Sequence, residues 1–329
     1  MSGSPKILVA GATGQVGSQV VKALLRKGYA VRALMRRPDA IVHGAEGKIE
    51  YAIGSIEDIA SLERALVGIE TVISSANGII PSGATMSTRA MHEKGYEGFI
   101  AAAERAGVRH WIQSSVPVHE LEARVPELAG KRIIEKRLNA SPIAATIFRN
   151  PAFMDVWLVM IGAVQAMGDD PHSTCARQFG FVKFWQRLTG NLVQKRGILL
   201  APGGRDHGAP MISTRDVAEM MAATVGKQAA HNRTIEAGGP EWITWGQVAD
   251  LMSKKAGRKV RAVTMPAWFA AIGQALTQPF FPAASNVLGL TRFVAAYQPR
   301  WDSAPIVEEF DLPPQLTVAE YLDRNWHAR

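Results

Sequence analysis

Lys6 to Gly17 reads KILVAGATGQVG. Ile7 to Ala10 run apolar with no polar alternation, which suits a strand covered on both faces, as in a parallel sheet. The next segment, VGSQVVKALLRKG, spaces Val16, Val20, Ala23 and Leu24 as one face of a helix, and Gly28 after Arg26 and Lys27 is a helix stop. YAVRALM then reads as a second strand. Gly11, Gly14 and Gly17 thus lie at a strand-to-helix turn inside a βαβ unit, where a glycine triplet says far more than it does alone. Gly11 permits the tight turn, Gly14 lets backbone approach a pyrophosphate, and Gly17 lets the helix pack close to the strand. The free N–H groups and positive dipole end at a helix start attract phosphate.

The alternation continues outward from this unit. IEYAIG (Ile49 to Gly54) predicts a third strand, and IEDIASLERALVGIE a helix opened by Asp58. TVISSAN (Thr71 to Asn77) predicts the fourth strand and Thr88 to Ala106 a helix stopped by Gly107. HWIQSSV predicts the fifth strand, Glu127 to Leu138 a helix, and AATIFRN the sixth strand. Six such steps predict an α/β fold: a doubly wound parallel Rossmann sheet with a smaller, mostly helical C-terminal substrate domain. The composition changes after Pro151. Residues 1–154 are therefore assigned to the dinucleotide-binding domain and 155–329 to a substrate-binding or lid region, with segments near 210–240 returning to the first domain. No internal repeat or low-complexity linker interrupts the chain.

Composition narrows the function classes. The chain has 329 residues, 47% of them hydrophobic, a net charge of +8 and a single cysteine, Cys175. One cysteine excludes an intrachain disulfide framework. No charged stretch followed by a long apolar run opens the chain, so no signal peptide is expected, and the setting is read as reducing and cytoplasmic. The eight histidines are scattered, and His119-Glu120 has no second histidine at zinc-binding spacing, so no metal site is expected. There is no G-x-S-x-G elbow. No Lys/Arg tract with interleaved aromatics points to nucleic acid. PAFMDVWLVMIGAVQAM is too short to span a bilayer, and MPAWFAAIGQALTQPFFPAASNVLGLTRFVAAY is broken by Pro279, Pro282 and Asn286. No transmembrane segment is expected. A peripheral membrane contact through an amphipathic lid stays open, with a lid over an apolar substrate pocket favoured.

The second strand ends ALMRRPD. An acidic residue there would grip the ribose 2′-hydroxyl of NAD. Arg36 and Arg37 stand there instead, and guanidinium groups suit a 2′-phosphate, so the expected cofactor is NADP(H).

The G-x-x-G-x-x-G spacing and the run GATGQVGSQVVKALLRKGYAVRALMRRP resemble the extended and atypical short-chain dehydrogenase/reductase superfamily, and within it the NmrA-like branch. SLERALVGIETVI, FIAAAERAGVRHWIQSS, APMISTRDVAEMMAATV and TIEAGGPEWITWGQVADLMSKKAGRKV are similar to the same branch. The branch includes quinone reductases, isoflavone and phenylcoumaran benzylic ether reductases, and NADP(H)-sensing regulators. The resemblance implies cofactor contacts from Gly11, Thr13, Gly14, Gln15, Val16 and Gly17 in the loop. It implies others from Ser55 and Ile56 beside the adenine, from Ser75, Ala76 and Asn77 after the fourth strand, and from Ser114, Asn150 and Phe153 near the nicotinamide. The chain departs from the pattern at Ser55, where relatives usually have Asp, and at Asn150, where they often have Pro.

Most of the superfamily uses a Tyr-x-x-x-Lys pair. Counting back fifteen residues from Thr146, as the resemblance implies, reaches Lys131; four residues earlier stands Glu127, not tyrosine. The benzylic ether and isoflavone reductase branch also keeps the lysine and lacks the tyrosine. The resemblance therefore implies that Lys131 holds the nicotinamide ribose and serves proton transfer. Helical spacing sets Glu127 on the same face as Lys131. Tyr96 and His119 are weaker proton-donor candidates.

The leading expectation is an NADPH-dependent reductase acting on a small apolar or aromatic substrate: a quinone, enone, carbonyl or benzylic ether. Phe153, Trp157, Phe181, Phe184 and Trp185 motivate the apolar substrate. A non-catalytic NADP(H) sensor or scaffold is the alternative, and a sugar-nucleotide epimerase or dehydratase ranks third. Monomer and homodimer both stay open.

Overall fold

A computed structural model describes residues 6–77, 91–176 and 180–327. Its centre is a parallel sheet of β1 (Lys6–Ala10), β2 (Ala30–Met35), β3 (Glu50–Ile53), β4 (Thr71–Ser74), β5 (His110–Ser115), β6 (Ala144–Arg149) and β9 (Arg233–Glu236). The strand order is β3-β2-β1-β4-β5-β6-β9. The winding reverses between β1 and β4, and the crevice beyond their carboxyl ends is where such sheets bind ligands. The expected doubly wound sheet is therefore present, with one strand more than the six predicted. β9 comes from the C-terminal half, pairing Thr146 with Arg233 through Arg149 with Glu236.

Adjacent residues of β1 feed opposite layers, as the period of two dictates. Ile7 and Val9 pack with Val20, Val21 and Leu24 of α1 (Gln15–Arg26) and with Val217, Met220 and Met221 of α8 (Thr214–Ala223). Leu8 and Ala10 pack with Leu62 and Leu66 of α2 (Ile59–Leu66), Phe99 and Ile100 of α3 (Tyr96–Arg105) and Ile134 of α4 (Pro126–Asn139). β1 residues Ile7 to Ala10 are fully buried, which explains their unbroken apolar run. α3 is preceded by a π-helical turn over Met91–Gly95; Thr88 to Ala90 of the predicted helix lie outside the described residues.

The second half has its own core. Met154 and Leu158 of α5 (Met154–Met160) meet Leu199 of β7 (Ile198–Pro202), Trp245 and Val248 of α9 (Trp245–Ala256), and Tyr321 and Leu322 of α13 (Val318–Asn325). Between them run α6 (Gly180–Thr189) and α7 (Leu192–Arg196). β7 pairs with β11 (Arg261–Met265), and β8 (Gly208–Ala209) with β10 (Ile243–Thr244). The long apolar run folds as a hairpin of α10 (Ala267–Thr277) and α11 (Pro282–Ala296), with Pro282 in the first turn of α11, where its missing N–H costs nothing. α12 (Ala304–Glu309) precedes α13. Among the described residues no helix is long and apolar enough to cross a membrane.

Candidate active site

The glycine loop forms the floor of the crevice. Gly11 has φ +81°, a conformation that side chains disfavour, and the Gly14 N–H donates to its carbonyl at 2.8 Å. A Cβ on Gly11 would stand 2.8 Å from the Ala76 nitrogen, and a Cβ on Gly17 would run into the Gly11 carbonyl. The loops after β1 and β4 therefore touch, and α1 starts close beneath them. That cradle fits a pyrophosphate: missing Cβ atoms keep the approach open, and the first amides of a twelve-residue helix face it. Thr13, Gly14 and Val16 are half-buried in this loop, whereas Gln15 is buried. Ser75 fixes the second loop, donating its N–H to the Ala10 carbonyl at 3.0 Å, and Asn77 is exposed beyond it.

The β2 side of the crevice is more exposed. Arg36 and Arg37 lie exposed immediately after β2, and the Arg37 guanidinium stands 3.9 Å from Asp39. Such an exposed pair is worth little and yields readily to a phosphate. Ser55 shapes its own turn: its N–H donates to Ser61 Oγ at 3.1 Å, and its hydroxyl accepts from the Glu57 N–H at 3.3 Å. Ile56 is half-buried against Gly95.

On the other side of the crevice Lys131 points inward from α4 and is 3% exposed, not a solvated helix lysine. Its ammonium lies 3.7 Å from Glu127 Oε1 and donates to the Ala76 carbonyl at 3.4 Å. Glu127 Oε2 lies 3.6 Å from His92 Nε2, and both residues are buried. Burial pushes the lysine pKa down, opposed by the Glu127 charge. Tyr96 converges on the same carbonyl: its hydroxyl donates to Ala76 O at 2.8 Å and lies 2.7 Å from Ser74 Oγ. Burial raises this phenol to about 12, so it stays protonated at neutral pH. Ala76 is thus the meeting point of the glycine loop, the lysine and the tyrosine. Sequence reasoning ranked Tyr96 low and passed over His92; their spacing of four on one helical stretch was the available signal.

At the ends of β5 and β6, Asn150 is buried and donates to Ser114 Oγ at 2.9 Å, which joins two of the expected nicotinamide neighbours. Phe153 is half-buried and bridges to Ile212. An open cleft of about 520 Å³ separates the start of α4 from the helical hairpin, lined by Arg124, Pro126, Ala271, Gln274, Asn286 and Arg292. His119 lies against the rings of Phe293 and Tyr297. Phe184 departs from its reading as pocket lining, because it is 61% exposed on α6. The Phe181 side chain lies outside the described residues.

The second half of the chain also reaches the glycine loop. His172 Nε2 accepts from the His43 N–H at 3.0 Å, which leaves the proton on Nδ1 to donate to the Thr13 carbonyl at 3.1 Å. The Thr174 N–H donates to Gln15 Oε1 at 3.0 Å, and Gln19 donates to Asp170 at 3.3 Å. No motif marks these contacts, which join positions some 159 residues apart.

Comparison with known proteins agrees with this architecture. A model of the NmrA-like family matches residues 3–299. A (4-alkanoyl-5-oxo-2,5-dihydrofuran-3-yl)methyl phosphate reductase of Streptomyces griseus is 28% identical over 256 residues, 78% of this chain and 75% of that protein. Photosystem II assembly factor Ycf39 of Synechocystis is 23% identical over 319 residues, 95% of this chain and 87% of that one. The fold is similar to an NADPH-dependent quinone oxidoreductase of Escherichia coli, crystallised with NADPH, at a TM-score of 0.71 and 21% identity, covering 96% and 98% of the two chains.

Proposed function

Because this chain belongs to the NmrA-like family, we propose that it is an NADPH-dependent reductase whose substrate is a small apolar or aromatic electrophile: a quinone, enone, carbonyl or benzylic ether. The buried Lys131 beside the Ala76 carbonyl carries the reading, since it is a cation held at the junction of the glycine loop and the β4 loop. Gly11, Gly14 and Gly17 receive the pyrophosphate with Thr13, Gln15 and Val16, and Arg36 and Arg37 the 2′-phosphate. Ser55 and Ile56 would lie on the adenine side, and Ser75, Ala76, Asn77, Ser114, Asn150 and Phe153 would border the nicotinamide. When bound, the dinucleotide supplies the hydride.

The chain's own groups supply orientation and the proton. Lys131 would donate to the nicotinamide ribose and would hold a proton on Nζ for the substrate oxygen or carbon that gains negative charge. Burial makes that ammonium a stronger acid than a solvated lysine, and Glu127 keeps it from losing the proton altogether. Tyr96 anchors the Ala76 carbonyl from below, which fixes the acceptor that Lys131 uses.

A second reading, an NADP(H) sensor or scaffold without turnover, is supported by Glu127 in the usual tyrosine position and by the likeness to an assembly factor over 95% of the chain. One assay separates the two. NADPH oxidation is followed against quinones, enones, aldehydes and aryl ethers, with NADH in parallel. Turnover that favours NADPH and falls roughly a hundredfold in kcat in Lys131→Ala, with KM nearly unchanged, is expected of the reductase. Tight NADPH binding with no turnover on any class selects the sensor. Unchanged kcat in the variant removes Lys131 from the mechanism.

A further inference from the structure

Residues 262–291 contain no Asp, Glu, Lys, Arg or His, although 20% of the whole chain is charged. This stretch builds the α10–α11 hairpin, and one face of it is bare. Ala270 and Gln274 of α10 are buried and face its partner, where Gly273 meets Leu288. Trp268, Ile272 and Leu276 recur every four residues on another side and are 63%, 53% and 70% exposed. Phe269, Phe280 and Phe281 extend the bare face, at 55%, 76% and 67% exposure. The same α10 lines the cleft with Ala271 and Gln274, so neither the core nor the cleft uses the bare face. Six large apolar side chains exposed on one hairpin point to an interaction surface.

The charge of the segments that build and adjoin the hairpin points to its partner. Residues 251–301 hold seven Lys/Arg and residues 171–205 hold six, with no Asp or Glu in either segment. The whole chain has 37 Lys/Arg against 29 Asp/Glu, so these two segments carry all of its positive excess. They adjoin in the fold. β7 pairs with β11, Arg258 donates to the Gln194 and Lys195 carbonyls, and Trp185 of α6 shares a small cavity with Val287 and Leu288 of α11. On α6 itself, exposed Phe184 and Leu188 alternate with exposed Lys183 and Arg187. On β11, Val263 and Arg261 share one exposed face.

We propose that the α10–α11 hairpin, flanked by α6, docks this protein in the plane of an anionic lipid bilayer. The aromatic and aliphatic tips enter the headgroup boundary, and the acid-free segments meet the negative surface. Apolar burial and attraction to anionic lipid add in such interfacial binding, and each is needed where neither is large. A face shared by two copies would press these cationic segments together, which the charge disfavours. The inference stands on this face and is independent of the reductase reading.

The test is co-flotation of the full chain with vesicles of phosphatidylcholine alone or enriched in phosphatidylglycerol, with light scattering of the free protein. Binding to the anionic vesicles, weakened by salt and at least tenfold stronger than to neutral ones, is the expected result. Replacing Trp268, Phe269, Phe280 and Phe281 together by Ser should cut binding by roughly tenfold or more while NADPH binding persists. Lys183→Glu with Arg187→Glu should abolish the preference for anionic lipid. Equal binding to both vesicles overturns the charge argument. No binding by a monomer overturns the proposal. So does a dimer in solution that the Ser substitutions dissociate, which would make the face a contact between copies of this chain.

Discussion

Glu127 shows how one side chain can set the working pH of the site. Its two oxygens face His92 and Lys131, all three residues being buried. Burial lowers the lysine pKa and the Glu127 charge raises it. Glu127→Gln removes the opposing charge and nearly preserves shape, so the lysine pKa falls further. With Lys131 as the acid, the high-pH limb of the kcat profile should move to lower pH by about one unit or more, since unit shifts are common between close buried charges. A limb that stays in place would mean that Lys131 does not titrate in turnover. A second residue-scale effect concerns stability. Burial pushes His110 down to about 4, with His231 beside it adding in the same direction. Its folded pKa lies below the unfolded value near 6.5, so the unfolded chain binds the extra proton. The protein should be unaffected by this group above pH 6.5 and lose stability as pH falls from 6.5 toward 4, by on the order of 3 kcal/mol. Urea melts of the chain and of His110→Gln measure it: the substitution should flatten that slope, and an equal slope in both would discard the assignment.

At the scale of elements, two glycines in neighbouring helices make opposite predictions. A methyl group usually strengthens a helix interior by about 1 kcal/mol over glycine. On Gly98 of α3 it would meet the flexible Cδ1 end of Ile59, which can turn aside. On Gly130 of α4 it would strike the His92 ring, which is fully buried. Gly98→Ala should therefore be neutral or stabilising, whereas Gly130→Ala should lose roughly 1–3 kcal/mol by overpacking and disturb the Glu127 carboxylate next to it. Urea midpoints decide; equal effects at the two positions would refute the packing argument. The same helices mark what sequence could reach. The β1–α1 unit was readable because its buried strand, its glycine spacing and its helix face all follow local rules, and Arg36 and Arg37 follow by position. Lys131 was singled out only by the register against Thr146 that the resemblance implies. Its burial was not readable, because α4 is rich in charge and its periodicity alone does not mark residue 131 as inward. Tyr96 and His92 depend on where α3 meets the end of β4, which no local pattern encodes. β9 escaped because Arg233 and Glu236 are polar ends of a four-residue strand in which Ile235 is the one buried position.

At the scale of the whole molecule, one of the contacts that join its two halves falls on the glycine loop. Residues 169–176 belong to the second half of the chain yet reach the glycine loop, through His172 to the Thr13 carbonyl and Thr174 to Gln15. His172 also accepts from the His43 N–H, beyond the Arg36 and Arg37 corner. One neutral imidazole therefore links the glycine loop, the segment after β2 and residues 169–176. Burial holds its pKa down, with Asp170 opposing and Lys22 and His43 assisting, and the neutral ring is the form that can accept at Nε2. A loop held in its binding conformation before the ligand arrives binds more tightly, because the ordering cost is already met. His172→Ala should then weaken NADPH binding by about tenfold, or 1.4 kcal/mol, with no lost contact to the ligand itself. A ligand at a hundred times its Kd stabilises the folded state by about 2.7 kcal/mol, so the thermal shift at fixed NADPH should shrink by about half in the variant. Calorimetric titration and melting curves with and without NADPH measure both quantities. Should the variant melt lower alone yet bind NADPH with unchanged Kd, the segment is a brace for the fold and has no part in preparing the loop. Weaker binding with an unchanged melting point in the absence of NADPH would show that residues 169–176 ready the glycine loop for the dinucleotide.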